Sequence, residues 1–162
     1  MSTNEPQARA RKGKVQVGDA APAFALRTQN GTTVSLEDLL GKSAIVLYFY
    51  PKDNTGGCTA EACSFRDSYA VFKEAGAEVI GVSSDSEASH QQFASKNRLP
   101  FLLLSDEKGA LRKLYGVPST MGVLPGRVTY VIDKEGIVRH IFSDMLNPQK
   151  HIAEALQVVQ SL

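Results

Sequence analysis

The sequence is short of excess charge, of cysteine and of long apolar runs. Its 162 residues balance 18 Lys and Arg against 17 Asp and Glu, for a formal net charge of +1. With so little charge of one sign, nothing points to a nucleic-acid or membrane-surface partner. The longest apolar run, Ala44 to Tyr50, falls far below the roughly 20 residues of a spanning helix. Residues 1–14 (MSTNEPQARARKGK) are polar and basic and contain no apolar stretch. They read as a disordered tail rather than a secretory signal, with the remnant of an organelle-targeting segment as the alternative. Two cysteines do not make a disulfide-rich secreted scaffold. No internal repeat, linker or low-complexity segment divides the rest, so residues 15–162 read as one domain large enough to bury its own core.

What is present follows an alternating order. Phe24 to Thr28 and Thr32 to Val34 alternate apolar and polar residues around Asn30-Gly31, a hairpin signal. Ser35 caps a short helix with Leu36, Leu39 and Leu40 on one face, stopped by Gly41. Ala44 to Tyr50 is a continuous apolar run of β-forming residues, which suits a strand covered on both faces. A helix is expected from about Cys58 to Ala75, with Ala62, Phe65, Tyr69 and Phe72 on its apolar face. Ala77 to Val82 is the next strand. A helix capped within Ser84-Asp85-Ser86 runs to about Asn97, and Phe101 to Leu104 is a short strand. A brief helix ends at Gly116, Val117 to Gly126 reads as loop, and Val128 to Asp133 pairs with Ile137 to Phe142. Asn147-Pro148 opens the last helix. The order predicts an α/β, thioredoxin-like fold, with a central mixed β-sheet flanked by helices and an N-terminal β-hairpin.

The chemistry concentrates between Pro51 and Cys63. Pro51 ends the strand, a glycine-rich loop follows, and Cys58 falls at the first turn of a helix. Only a thiolate is nucleophilic, and a free thiol is mostly protonated at neutral pH. The helix N-terminus favours the anion. An arginine could add fixed charge: Arg66 and Arg127 are the candidates, and spacing alone does not choose between them. Gly56 and Gly57 allow close backbone approach, and the Thr55 hydroxyl could bond the sulfur or a substrate. Taken singly, Thr55 is an ordinary loop residue, Arg127 a surface ion-pair residue and Glu61 a complement to the helix dipole. Zinc is not expected, because the pair lacks a second pair of ligands. His90, His140 and His151 are isolated and read as surface or capping residues.

The second cysteine sets a geometric problem. Five residues apart on a straight helix, Cys58 and Cys63 have Cα atoms ~8.7 Å apart, and a disulfide tolerates at most ~7 Å. The helix must be wound to activate Cys58 and must unwind before the two can bond. A four-residue gap suits one cysteine that attacks and one that resolves.

The segment Pro51-x-x-x-Thr55-x-x-Cys58 resembles the peroxiredoxin active-site motif. Cys58-Thr-Ala-Glu-Ala-Cys63 resembles the peroxiredoxin Q, or bacterioferritin comigratory protein, branch. Tyr48 to Pro51, Leu104 to Asp106, Tyr115 to Pro118 and Leu124 to Asp133 extend the likeness, which covers roughly residues 15 to 162 and is closest to cyanobacterial and plastid forms. The resemblance implies reduction of hydrogen peroxide and organic hydroperoxides without metal or organic cofactor. It assigns Cys58 as the peroxidatic and Cys63 as the resolving cysteine, joined in an intramolecular disulfide and recycled by thioredoxin or a related dithiol protein. It gives Thr55 and Arg127 the thiolate and the peroxide oxygens, Pro51 the shielding of the sulfur, and Glu61 the orientation of the arginine. It implies a monomer. Gly57 departs from the proline common before the cysteine. The chain reads as cytoplasmic; a processed plastid protein would look the same. The rival expectation is a non-enzymatic redox switch on the same fold.

Overall fold

The computed structural model describes residues 14–120 and 124–162. The expected tail, up to residue 13, lies outside the described residues. In chain order the elements are β1 (Ala25–Arg27), β2 (Thr33–Ser35), α1 (Leu36–Leu39), β3 (Ala44–Phe49), α2 (Gly56–Asp67), α3 (Tyr69–Glu74), β4 (Ala77–Ser83) and α4 (Glu87–Asn97). They continue with β5 (Leu102–Ser105), α5 (Ala110–Tyr115), β6 (Ser119–Thr120), β7 (Leu124–Pro125), β8 (Val128–Ile132), β9 (Val138–Ser143) and α6 (Pro148–Gln160).

Five strands build the central sheet in the order β5-β4-β3-β8-β9. β3 pairs parallel with β4 and antiparallel with β8, so the sheet is mixed. The apolar run of β3 is buried along its whole length because it is covered on both faces. Val46, Tyr48 and Tyr50 point into one core with Phe65 and Phe72, Phe93 of α4, and Ile152 and Val159 of α6. Ile45, Leu47 and Phe49 point into the other, with Leu36, Leu111, Tyr115 and Tyr130. This period of two is the pleat of the strand. β1 and β2 form the expected separate hairpin, with Leu26 opposite Val34, and Gly31 takes the left-handed φ of +76° that its turn requires.

Two expected elements change. The helix from Cys58 to Ala75 is two helices: α2 ends at Asp67, and Ser68 (φ −102°, ψ 4°) separates it from α3. Ser68 faces no apolar break in the 3.6-residue pattern, so periodicity alone reads through it. The Val117–Gly126 loop contains the short antiparallel pair β6–β7. Ser35 caps α1 as expected, in a reciprocal box with Asp38. Ser86 is the residue of its triplet that caps α4.

Candidate active site

α2 leaves the C-terminal end of β3 through the loop at residues 51–55. Thr55, in extended conformation, is its N-cap: Oγ1 accepts from the Cys58 N–H at 3.4 Å and donates to the Lys52 carbonyl at 3.2 Å. The helix therefore begins at Gly56, earlier than the sequence suggests, with Cys58 as its third residue. Cys58 is 1% exposed. It sits at the N-terminus of a 12-residue helix, where unpaired backbone N–H groups point toward the start of the helix. Pro51 is half-buried, with only Tyr50 between it and the end of β3.

The structure chooses between the two arginines. Arg127 Nη2 donates to Cys58 Sγ at 3.6 Å, and Nη1 donates to Glu61 Oε1 at 2.6 Å. Arg66 turns the other way, to Asp67 at 3.0 Å and the Asn97 carbonyl at 2.8 Å. Arg127 can enter because Gly126 precedes it: a Cβ there would lie 2.8 Å from the Pro118 carbonyl oxygen, to which the Gly126 N–H donates at 2.7 Å. Gly57 gives room from the other side, since its Cβ would meet Arg127 Nη2 at 3.0 Å.

Glu61 is no surface complement to the helix dipole; it is 0% exposed. Burial pushes its carboxyl up to about 8, against the opposing pull of Arg127. Its second oxygen, Oε2, has no hydrogen-bond partner and lies 3.7 Å from His151 Nδ1. His151, expected as a surface or capping residue, is wholly buried. Its Nε2 must donate to the Asp144 carbonyl at 2.8 Å, so Nδ1 is left to accept from Thr129 Oγ1 at 2.7 Å. Burial lowers the pKa of this ring and keeps it neutral. No motif marks His151; only its inward position on α6, beside Ile152 and Ala155, could have signalled it.

His90 is also wholly buried rather than exposed. Its Nε2 donates to the Leu104 carbonyl at 2.9 Å and its Nδ1 meets Asp53 Oδ2 at 2.8 Å. Asp53 also accepts from the hydroxyls of Tyr50 at 2.6 Å and Ser89 at 2.8 Å. This pair ties the loop before Cys58 to α4 and β5. Replacing His90 by alanine removes one of three side-chain partners of the buried Asp53 and leaves a cavity. The expected loss is about 2–4 kcal/mol of stability, measured by urea unfolding; a change under about 1 kcal/mol would show that the pair does not hold the loop.

Cys63 is half-buried, Cys58 is buried, and neither is in a disulfide. Both lie on the intact α2, the geometry in which they cannot bond.

The model of the AhpC/TSA family matches residues 17–141. The chain belongs to that family. Among its relatives is the chloroplastic peroxiredoxin Q of Triticum aestivum, 56% identical over 93% of this chain and 69% of the relative. The chloroplastic peroxiredoxin Q of Arabidopsis thaliana is 56% identical over 91% of this chain and 68% of the relative. In structure the chain is similar to peroxidoxin BcpB of Mycobacterium tuberculosis, with a TM-score of 0.85 at 35% identity over 91% of this chain and 98% of that one. The chain is thus a thiol-dependent peroxidase of the peroxiredoxin Q type on a thioredoxin-like fold.

In this peroxiredoxin one buried guanidinium faces two potential anions. Below about 8 the Glu61 carboxyl is neutral and Arg127 is left to the sulfur; above it, an ionised Glu61 shares the charge. The rate constant for peroxide is therefore expected to fall roughly 3-fold to 10-fold as pH rises through about 8. Glu61→Gln, neutral at every pH and close in shape, should lose that fall. Stopped-flow rates across roughly pH 6 to 10 check this; an unchanged profile in the variant would assign the titration to another group.

Proposed function

We propose that Cys58 is the peroxidatic cysteine and Cys63 the resolving one, in a cycle that reduces hydrogen peroxide and organic hydroperoxides. The observation that carries this reading is the contact of Arg127 with the buried Cys58 sulfur at the N-terminus of α2. The Cys58 thiolate attacks the terminal peroxide oxygen. The O–O bond breaks, the alkoxide or hydroxide leaves with the proton as alcohol or water, and Cys58 becomes the sulfenate. Arg127 and first-turn N–H groups stabilise the charge spreading over the O–O bond. Glu61 orients Arg127, Thr55 holds the Cys58 backbone in place, and Pro51 shields the sulfur from water. α2 then opens, the sulfenate takes a proton from solvent, the Cys63 thiol displaces the sulfenic oxygen as water, and a Cys58–Cys63 disulfide results.

A reduced dithiol protein such as thioredoxin returns both thiols by exchange. The monomer suffices, since both cysteines lie on one helix. Relatives named chloroplastic favour the plastid over the cytoplasm as the compartment. The test couples peroxide consumption to NADPH oxidation through thioredoxin and its reductase, with mass spectrometry of protein treated with one equivalent of peroxide. Turnover and an intramolecular Cys58–Cys63 disulfide are expected. A stable sulfenic acid, or a disulfide between two chains, would overturn the assignment of Cys63.

A further inference from the structure

We propose that Asn97, the last residue of α4, is the latch that holds Cys63 in the wound helix and so sets how fast α2 opens. The proposal rests on the resolving role of Cys63 just given. Three contacts meet at this residue. The Cys63 thiol donates to Asn97 Oδ1 across 3.8 Å. Arg66 Nη1 donates to the Asn97 backbone carbonyl at 2.8 Å. Asn97 Nδ2 donates to the Phe93 carbonyl at 3.0 Å, one turn back in α4.

The third contact orients the first. A carbonyl only accepts, so the amide nitrogen must face Phe93 and the amide oxygen must face Cys63. Phe93 itself is wholly buried, which anchors the arrangement to the core. The second contact follows from where α4 stops. Arg98 adopts the left-handed conformation (φ 54°, ψ 47°) and its N–H turns back to Ala94 and Ser95. The carbonyls of the last turn carry the negative end of the helix dipole, and Arg66 brings a cation to one of them. Cys63 and Arg66 are three residues apart on α2, hence on one face. One residue of α4 thus grips two successive points of α2, through its side chain and through its backbone.

These points lie at the end of α2 that must yield. Ser68 already ends that helix, and Cys63 has to leave Asn97 before its sulfur can reach Cys58. While the latch is closed, the Cys58 sulfenate stays exposed to a second hydroperoxide. That hydroperoxide would transfer another oxygen, giving the sulfinate and releasing alcohol or water. The latch therefore sets the partition between disulfide and sulfinate without touching the peroxide.

The test mixes reduced protein with hydroperoxide in a stopped-flow instrument. A peroxide-dependent phase reports oxidation of Cys58, and a peroxide-independent phase reports resolution. Asn97→Ala is expected to speed the second phase about 3-fold to 10-fold, to leave the first unchanged, and to lower the sulfinate fraction at high peroxide. A merely structural role for Asn97 would not move that partition. Arg66→Met keeps the stem and loses the bond to the Asn97 carbonyl. It should accelerate amide hydrogen exchange of residues 60–66 by a similar factor, a readout independent of the thiol chemistry. Unchanged or slower resolution in Asn97→Ala, or unchanged exchange in Arg66→Met, overturns the latch. A wild-type protein that forms no Cys58–Cys63 disulfide overturns the reading beneath it instead.

Discussion

Replacing Cys58 by serine is expected to lower peroxide consumption by about 10⁴-fold or more. The reaction needs an anion at this position, and a serine hydroxyl does not ionise beside Arg127 as a thiol can. Oxygen is also a poorer nucleophile than sulfur toward the O–O bond. The fold should survive. The Cys58 side chain is 1% exposed, and a hydroxyl can accept from Arg127 where the sulfur does at 3.6 Å. Circular dichroism should therefore superpose on that of the native protein while the coupled assay falls to the background of free peroxide. Residual turnover above about one part in 100 of the native rate would place the chemistry on another group.

Arg127→Ala is expected to reduce the second-order rate constant for hydroperoxide by about 10² to 10³, the cost of losing one donor to developing charge, roughly 2.7–4 kcal/mol. Two effects add: the sulfur loses the guanidinium that contacts it at 3.6 Å, and the O–O bond loses a donor. The variant should still fold, for a reason written in Glu61. Burial already lifts that carboxyl to about 8, and removing Arg127 lifts it further. Glu61 then stays neutral at pH 7 and no unpaired charge is buried. Arg127→Lys should recover little, because a point charge cannot bridge Glu61 Oε1 and Cys58 Sγ as the guanidinium fork does. Stopped-flow rates against peroxide concentration decide it; a loss below about 3-fold would remove Arg127 from the reacting centre.

The likeness to the peroxiredoxins was legible because the motif is contiguous. Pro51, Thr55, Cys58 and Cys63 sit within 13 residues, where spacing translates directly into helix position. The five-residue separation of the cysteines already implied that the helix must open if the two are to bond. By contrast, His90 and His151 read as surface or capping groups, yet both are buried and hydrogen-bonded at both ring nitrogens. A lone histidine carries no periodic signal, and whether it is satisfied inside depends on carbonyls supplied by other elements. The break at Ser68 escaped for a related reason: the apolar residues on either side keep helical spacing across it, while the chain turns to lay α3 beside β4.

By itself the sequence determined the main order of strands and helices, the cap at Ser35, and the placement of a cysteine in the first turn of a helix. These are properties of neighbouring residues, governed by backbone sterics, hydrogen bonds within a turn, and hydrophobic period. The tertiary structure decided which arginine reaches the sulfur. Arg66 lies closer to Cys58 along the chain, but Arg127, 69 residues away, reaches it because β8 pairs antiparallel with β3 and begins opposite Phe49, at the end of β3 from which the chain enters α2. It also decided that Glu61 and His151 meet beneath that arginine and that Asn97 closes on Cys63. Those partners are distant in sequence and become neighbours only when the sheet brings its strand ends together and the helices pack on one face.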